Sequence, residues 1–270
     1  MLSEHPEVSW LSRRLCDMHP DKPALNRFLM RAIDCPAVGQ LIKKRVSIGE
    51  CYSFWEYHCK GFRRPCRDLL ASDVTERNKE RIRYVMSRLL TQKRNRLLIK
   101  ITGWPRIGFL SEIFRDARFI HVLRDGRAVA NSLLNVEWWW GWRGPMSWRW
   151  GALSSEQKQE WERYNKSFVV LAAIQWKILM DAIEKAKNYV SSDNFLEIKH
   201  EDLCSDAIAV FREVIKFCGL EWTRDFETKL KSYELKNTND KWQKELTSKQ
   251  KSDLEEVLQN HLRKYKYLTA

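Results

Sequence analysis

An α/β protein of three layers, a mostly parallel sheet flanked by helices, is what this sequence predicts, and three observations predict it. Short apolar runs of strand length, Leu97-Leu98-Ile99, Phe119–Leu123 and Phe195–Ile198, are separated by stretches of helical period. The first of them is continuously apolar, as strands of a buried parallel sheet are. Only 10 Gly and 7 Pro occur among 270 residues that are 44% hydrophobic, which allows a core and leaves no low-complexity segment.

Taken in order, Glu7–Leu11 alternates enough for a short strand, and Pro23 to Ala32 reads as a helix with Ala24, Leu25, Phe28 and Leu29 on one face. Residues 46–72, rich in aromatics and arginine, read as an irregular loop over the sheet. Thr75 opens a helix to about Gln92 that buries Ile82, Val85, Met86 and Leu89. Leu97–Ile99 is a strand that Lys100 ends, and Arg106 to Phe114 is a short helix. A long helix is expected from Ser155 to about Asn188. A strand over Phe195–Ile198 and a helix over Ser205–Phe217 follow. The last helix starts at Thr247, with Lys249, Gln250 and Asp253 on its outer face. Strands alternating with helices mean βαβ units.

The most informative segment is Arg118-Phe-Ile-His-Val-Leu-Arg-Asp-Gly-Arg-Ala-Val-Ala-Asn-Ser-Leu-Leu134. Phe119–Leu123 is a strand; Arg124-Asp125 ends it, Gly126 turns the chain, and Ala128, Val129, Ser132 and Leu133 recur at helical spacing. Arg124 therefore sits at the carboxyl end of a strand, where open α/β sheets bind ligands, and Ser132 lies two turns into the helix. A guanidinium and a hydroxyl converging there suit a phosphate. The alternative is a plain βα unit in which Arg124 is salt-bridged to Asp125.

The net charge is +13. Nucleic acid, an anionic membrane surface or a polyanionic small molecule would each explain it. No helix-turn-helix, RNA-recognition or zinc-finger pattern is present, so a multiply charged small molecule explains the excess better than nucleic acid does. No apolar run reaches 18 residues and the first residues do not read as a signal peptide. Seven cysteines (Cys16, Cys35, Cys51, Cys59, Cys66, Cys204, Cys218) without regular spacing suit a reducing cytoplasm rather than a disulfide framework. Cys59 and Cys66 beside His58 lack the spacing of a zinc site, and no metal is expected.

The stretch from Leu97 to Leu134, a strand, a helix and the Arg118–Leu134 block, resembles the sulfotransferases that use 3′-phosphoadenosine-5′-phosphosulfate (PAPS). The resemblance continues through Phe195-Leu-Glu-Ile-Lys-His-Glu-Asp-Leu203, similar to the family's strand end, and through Phe211–Leu220 and Trp242–Tyr267. It implies a P-loop NTPase-like fold in a single domain over residues 1–270. Relatives open on a strand and a Gly/Ser/Thr-rich phosphate loop, then a helix; Met1-Leu-Ser-Glu-His-Pro-Glu-Val8 matches only the tail of that helix. Gly141-Trp-Arg-Gly144 is no substitute, because neither the Ser/Thr nor a preceding strand accompanies it. The resemblance thus implies a fold whose first strand and phosphate loop are missing. Either the chain is an N-terminally truncated fragment or half the cofactor site is lost; the intact remaining motifs favour the fragment, whose activity is left open.

As implied by the resemblance, PAPS is the sulfuryl donor and an unidentified hydroxyl- or amine-bearing molecule the acceptor. Arg124 and Ser132 would hold the 3′-phosphate, Lys236 in Lys236-Asn-Thr-Asn-Asp-Lys-Trp242 would reach it or the adenine, and Lys100 would neutralise charge on the bridging oxygen. Asp125 reads as the cap of the following helix and Arg127 as an exposed residue in an ion pair. The general base does not transfer from relatives, whose Glu is replaced here by Ser12-Arg13-Arg14. Glu50 is the best substitute and His58 the second. Trp138, Trp139, Trp140, Trp142, Trp148 and Trp150 place six of 13 tryptophans in 13 residues, either as an acceptor-gripping surface or as a flap packed by its own indoles. A non-catalytic 3′-phosphonucleotide-binding or interaction relative, and a basic nucleic-acid-binding protein, remain the alternatives.

Overall fold

The structure is a computed structural model that describes residues 1–63, 67–145 and 151–268. Its strands are β1 (Val8–Trp10), β2 (Arg96–Leu98), β3 (Phe119–Leu123) and β4 (Phe195–Lys199). The helices before β3 are α1 (Arg13–Met18), α2 (Pro23–Ile33), α3 (Gly39–Lys43), α4 (Tyr52–His58), α5 (Glu76–Ser87) and α6 (Ile107–Ile113). Those between β3 and β4 are α7 (Gly126–Leu134), α8 (Ser155–Arg163) and α9 (Phe168–Ala186). After β4 come α10 (His200–Ser205), α11 (Ala207–Cys218), α12 (Arg224–Lys231), α13 (Lys241–Glu245) and α14 (Ser248–Lys264). Both strand pairs, β1–β2 and β3–β4, are parallel, as the alternation of strand and helix predicts. Among the described residues no helix is long and apolar enough to cross a membrane.

The chain divides into two compact units. The first comprises Met1–Arg64, Leu69–Arg118 and Phe211–Glu234. Val8 and Trp10 of β1 pack with Leu29, Met30 and Ile33 of α2. Arg94 fastens this unit: its Nε and Nη2 take the two oxygens of Asp34 at 3.0 and 2.9 Å, and Nη1 donates to the Val8 carbonyl at 2.6 Å. The α2 face differs from expectation, because Asn26, Leu29, Met30 and Ile33 are buried while Phe28 is 72% exposed. Asn26 is buried because its amide donates to the Trp10 carbonyl and accepts from the Ser12 N–H.

The expected irregular loop over 46–72 also needs correction. It contains α4, whose Phe54 and Trp55 are fully buried, with Trp55 stacked on Phe62 at 4.5 Å. Aromatic burial, not chain irregularity, explains that composition. Helix α5 is capped by the Thr75 hydroxyl, which accepts from the Asn78 N–H, but it ends at Ser87 rather than near Gln92. Strand β2 ends at Leu98, so Lys100 lies two residues beyond it.

The second unit comprises Pro65–Asp68, Phe119–Val210 and Leu235–Ala270. Phe119 pairs with Phe195 and Leu123 with Lys199, so Arg124 and His200 both follow at the carboxyl end of the β3–β4 pair. Helix α9 is its centre: Val169 to Trp176 are buried without interruption, and α7 and α14 pack against it. The single helix expected over Ser155–Asn188 is two. Asn165 and Lys166 adopt left-handed backbone (φ 52° and 56°), and the Trp161 indole donates to the Ser167 carbonyl across the break at 2.9 Å. Asparagine tolerates that conformation better than most residues, which is the signal the helical periodicity hides. Helix α14 carries the Thr247–Gln250 capping box. Asp253, expected on its outer face, is buried and ion-paired with Lys249 at 3.0 Å.

Candidate functional site

The sequence Leu123-Arg-Asp-Gly-Arg127 resolves into a division of labour. Asp125 is the N-cap of α7, and its carboxylate accepts the Arg127 N–H at 2.8 Å. The same carboxylate takes the Arg127 guanidinium at 2.7 Å, and Glu255 takes its other end at 3.0 Å. Arg127 also lies over the Trp242 ring at 4.8 Å. Its structural ion-pair role is as expected; its exposure is not, since the side chain is only 13% accessible. Gly126 is required by close approach: a Cβ there would stand 2.8 Å from the Trp176 ring.

Arg124 is not paired with Asp125. Its Nε donates to Asn239 Oδ1 at 2.9 Å and its Nη2 to Thr238 Oγ1 at 3.0 Å, both neutral acceptors. Its positive charge is therefore not cancelled by a bonded carboxylate. That charge, after burial, is the second cause holding the His200 pKa below its ordinary value. Next to Arg124 is a small open cleft of about 140 Å³ lined by Arg124, Ala128, Asn131, Ser132, Asn135, Thr238, Lys241 and Glu245. Ala128, Asn131, Ser132 and Asn135 are neighbours on one face of α7, at spacings of three and four residues. Arg124 and Ser132, predicted to act together, thus line the same cleft.

One carboxylate lies in this lining. Glu245 Oε2 accepts from Asn131 Nδ2 at 2.6 Å and from Asn135 Nδ2 at 3.4 Å, so its charge is partly engaged by amides. Guanidinium, ammonium and hydroxyl on the rest of the wall form a donor set that fits a phosphate monoester. Lys236 stands exposed on the preceding loop, outside that lining, and the lysine on the wall is Lys241.

Behind the cleft, Glu201 gathers hydrogen bonds from the Asp125 N–H at 3.1 Å, the Tyr267 hydroxyl at 2.9 Å and the Asn239 amide. Burial opposes its charge, but these hydrogen bonds outweigh burial and hold its pKa below the ordinary glutamate value.

In the first unit, Lys100 and Glu50, singled out separately from the sequence, are brought together at 3.6 Å, with side chains 50% and 28% exposed. The Tyr52 hydroxyl donates to the Thr102 carbonyl at 2.5 Å and so ties the start of α4 to the segment after β2. His58 is placed otherwise. It is buried against Phe54 at 4.6 Å, its Nε2 meets the Pro20 carbonyl at 2.8 Å, and burial lowers its pKa. Its ring serves the aromatic core.

The tryptophan-rich segment divides as well. Trp139 is buried, its indole donating to Gln175 Oε1 at 2.8 Å, whereas Trp138, Trp140 and Trp142 are exposed and Arg143 lies over the last two. Trp148 and Trp150, like Cys66, lie outside the described residues. No group of three or more His, Cys, Asp or Glu side chains among the described residues could hold a metal ion.

The sulfotransferase family's sequence profile matches residues 1–224. The chain belongs to the sulfotransferase family. Its fold is similar to that of sulfotransferase STF9 from Mycobacterium avium, with a TM-score of 0.56 at 17% identity, over 97% of this chain and 71% of that one. The sulfotransferase domain of the olefin synthase from Synechococcus PCC 7002 aligns with a TM-score of 0.46 at 13% identity, over 94% of this chain and 86% of that one. No curated protein sequence matches this chain. Within this sulfotransferase, the residues of the cleft and its support not singled out from the sequence include Thr238, Asn239, Lys241 and Glu201, besides Asn131, Asn135 and Glu245. The polar run Lys236–Lys241 was the signal for Thr238, Asn239 and Lys241; Glu201 lay within Phe195–Leu203, the segment that resembles the family's strand end.

Proposed function

We propose that the protein is a PAPS-dependent sulfotransferase that passes a sulfuryl group to a hydroxyl or amine of an acceptor. The observation that carries this reading is Arg124, bonded among the described residues only to neutral acceptors, beside Ser132, on the wall of a cleft at the carboxyl end of β3. In a chain of this family, that donor set suits the 3′-phosphate that distinguishes PAPS from ordinary adenine nucleotides. Lys241 takes the part that the sequence suggested for Lys236.

The bound donor supplies an activated sulfuryl group; this chain's residues bind, place and neutralise charge. By analogy with phosphoryl transfer, that positioning and charge stabilisation is where the protein's contribution lies. Lys100 is assigned to stabilise negative charge on the bridging oxygen. Glu50, at 3.6 Å from it, is assigned to hold that ammonium in place and to accept the acceptor's proton. The free cysteines Cys16, Cys35, Cys51, Cys59, Cys204 and Cys218 suit work in a reducing cytoplasm.

The test is calorimetry with 3′,5′-ADP, the desulfated donor. Wild type binds it, and Arg124→Ala weakens binding by about 1.5–3 kcal/mol, the worth of hydrogen bonds to charged groups. Equal affinity in the variant, or a wild type that binds 5′-AMP as well as 3′,5′-ADP, overturns the reading.

A further inference from the structure

Arg124 is held by a relay that begins outside the cleft. Asn239 has an acceptor-only partner, the Glu201 carboxylate, on its Nδ2, and a donor-only partner, Arg124 Nε, on its Oδ1. These partners fix the amide's orientation without ambiguity, because the flipped amide would set oxygen against oxygen and N–H against N–H. Thr238 Oγ1 takes Nη2 of the same guanidinium. The Nε/Nη2 edge is thus occupied by the 238–239 segment, and the end formed by Nη1 and the second Nη2 hydrogen is left for a ligand. Among the described residues no protein group hydrogen-bonds Nη1.

Glu201 anchors this relay at both ends. The same Oε1 that receives Asn239 accepts the N–H of Asp125, the residue next to Arg124, and Oε2 accepts from Tyr267. Backbone and side chain of the anion-binding arginine are therefore referred to one half-buried carboxylate. Asn237 Oδ1 accepts the Asn239 N–H at 3.0 Å and stiffens the segment locally. A long, rotamer-rich side chain fixed before the ligand arrives loses less entropy on binding.

We propose that Asn239, oriented by Glu201, is a positioning residue that presents Arg124 to the ligand's 3′-phosphate and so sets the preference for 3′-phosphorylated nucleotides. This inference rests on the proposed reading of the cleft. It assigns Asn239 no contact with ligand; its effect passes through Arg124 alone. A second consequence concerns charge. Because the acceptor on Nε is a neutral amide, Arg124 stays cationic towards the cleft, and a carboxylate in that place would cancel it.

The experiment is a double-mutant cycle read by calorimetry with 3′,5′-ADP as probe. Asn239→Ala should weaken binding about tenfold, the scale of one immobilised long side chain. In an Arg124→Ala background the same change should have no further effect, which a merely structural role would not produce. Asn239→Asp should weaken binding more than Asn239→Ala does, since it adds a charge that repels Glu201 and neutralises Arg124. Asn239→Ser provides the same cycle if Asn239→Ala does not fold. Additive losses, or Asn239→Asp no weaker than Asn239→Ala, overturn the inference. If instead wild type fails to prefer 3′,5′-ADP over 5′-AMP, it is the reading of the cleft that falls.

Discussion

Replacing Gly126 by alanine tests the packing that fixes the start of α7. The added Cβ would stand 2.8–2.9 Å from Cε3, Cδ2 and Cζ3 of Trp176. Carbon atoms rest at about 3.5–4.0 Å, so one of the two must retreat by roughly 0.7–1.2 Å. Trp176 has little room to do so: it is 5% exposed, with edge contacts to His261 and Tyr265 at 5.9 and 6.0 Å. Overpacking of this kind costs about 1–3 kcal/mol. Alanine recovers up to about 1 kcal/mol as a better helix former than glycine. The net expectation is a loss of about 1–2 kcal/mol, read as a thermal midpoint lower by about 2–8 °C for a chain of this size. Trimming the ring with Trp176→Leu should remove most of the penalty of Gly126→Ala, so the pair should be strongly non-additive. The assay is thermal unfolding of the four proteins of the cycle. A Gly126→Ala variant as stable as wild type, or additive losses, would refute the argument that close approach to the indole demands this glycine.

Three further expectations follow from named contacts. Lys100→Ala should slow the chemical step by about 100-fold, since oxyanion-type stabilisation is worth that much. It should barely move the melting point, because its half-exposed ion pair with Glu50 is worth about 1 kcal/mol or less; single-turnover kinetics with ³⁵S-labelled PAPS within a few-fold of wild type would remove it from the mechanism. Asp34→Asn, which strips the counter-charge from the buried Arg94, should cost about 3 kcal/mol in urea unfolding, and a change under about 0.5 kcal/mol would contradict the fastening role. The His121 hydrogen bond, with burial opposing and Lys187 assisting, holds the Glu197 pKa below its ordinary 4.5. A depressed carboxylate contributes stability that is present above the unfolded value and lost as pH falls through the folded one. Melting points should therefore drop on acidification below about 4.5, and less steeply in Glu197→Gln; parallel curves would reject the linkage.

The strand–turn–helix at Phe119–Leu134 was legible in the sequence because its information is local: an apolar run, a cap, a glycine and a helical repeat are contiguous. The same holds for the capped starts of α5 and α14. What failed to read were features decided by partners distant in the chain. Helix α4 was hidden because its aromatics answer to Phe62 and to the core rather than to a clean helical period. The break between α8 and α9 turns on two left-handed residues whose types only weakly announce it. Asp253 read as a surface residue because charge normally stays in water, yet its Lys249 partner one turn earlier allows it to be buried.

The cleft shows the limit most clearly. Arg124 and Arg127 are three residues apart, both beside Asp125, and sequence alone does not say which one the aspartate neutralises. The helix decides. Capping points the Asp125 carboxylate along the first turn of α7, where the Arg127 N–H and guanidinium lie, and Glu255 closes the other side of Arg127. Arg127 is thereby consumed by structure. Arg124, on the strand side of the same aspartate, is left to two neutral acceptors more than 110 residues away in sequence, with separations of 114 and 115. A single capping interaction thus determines which of two arginines is ion-paired and which bonds only neutral acceptors among the described residues. It makes Arg124, and not its neighbour, the residue on which ligand affinity should turn.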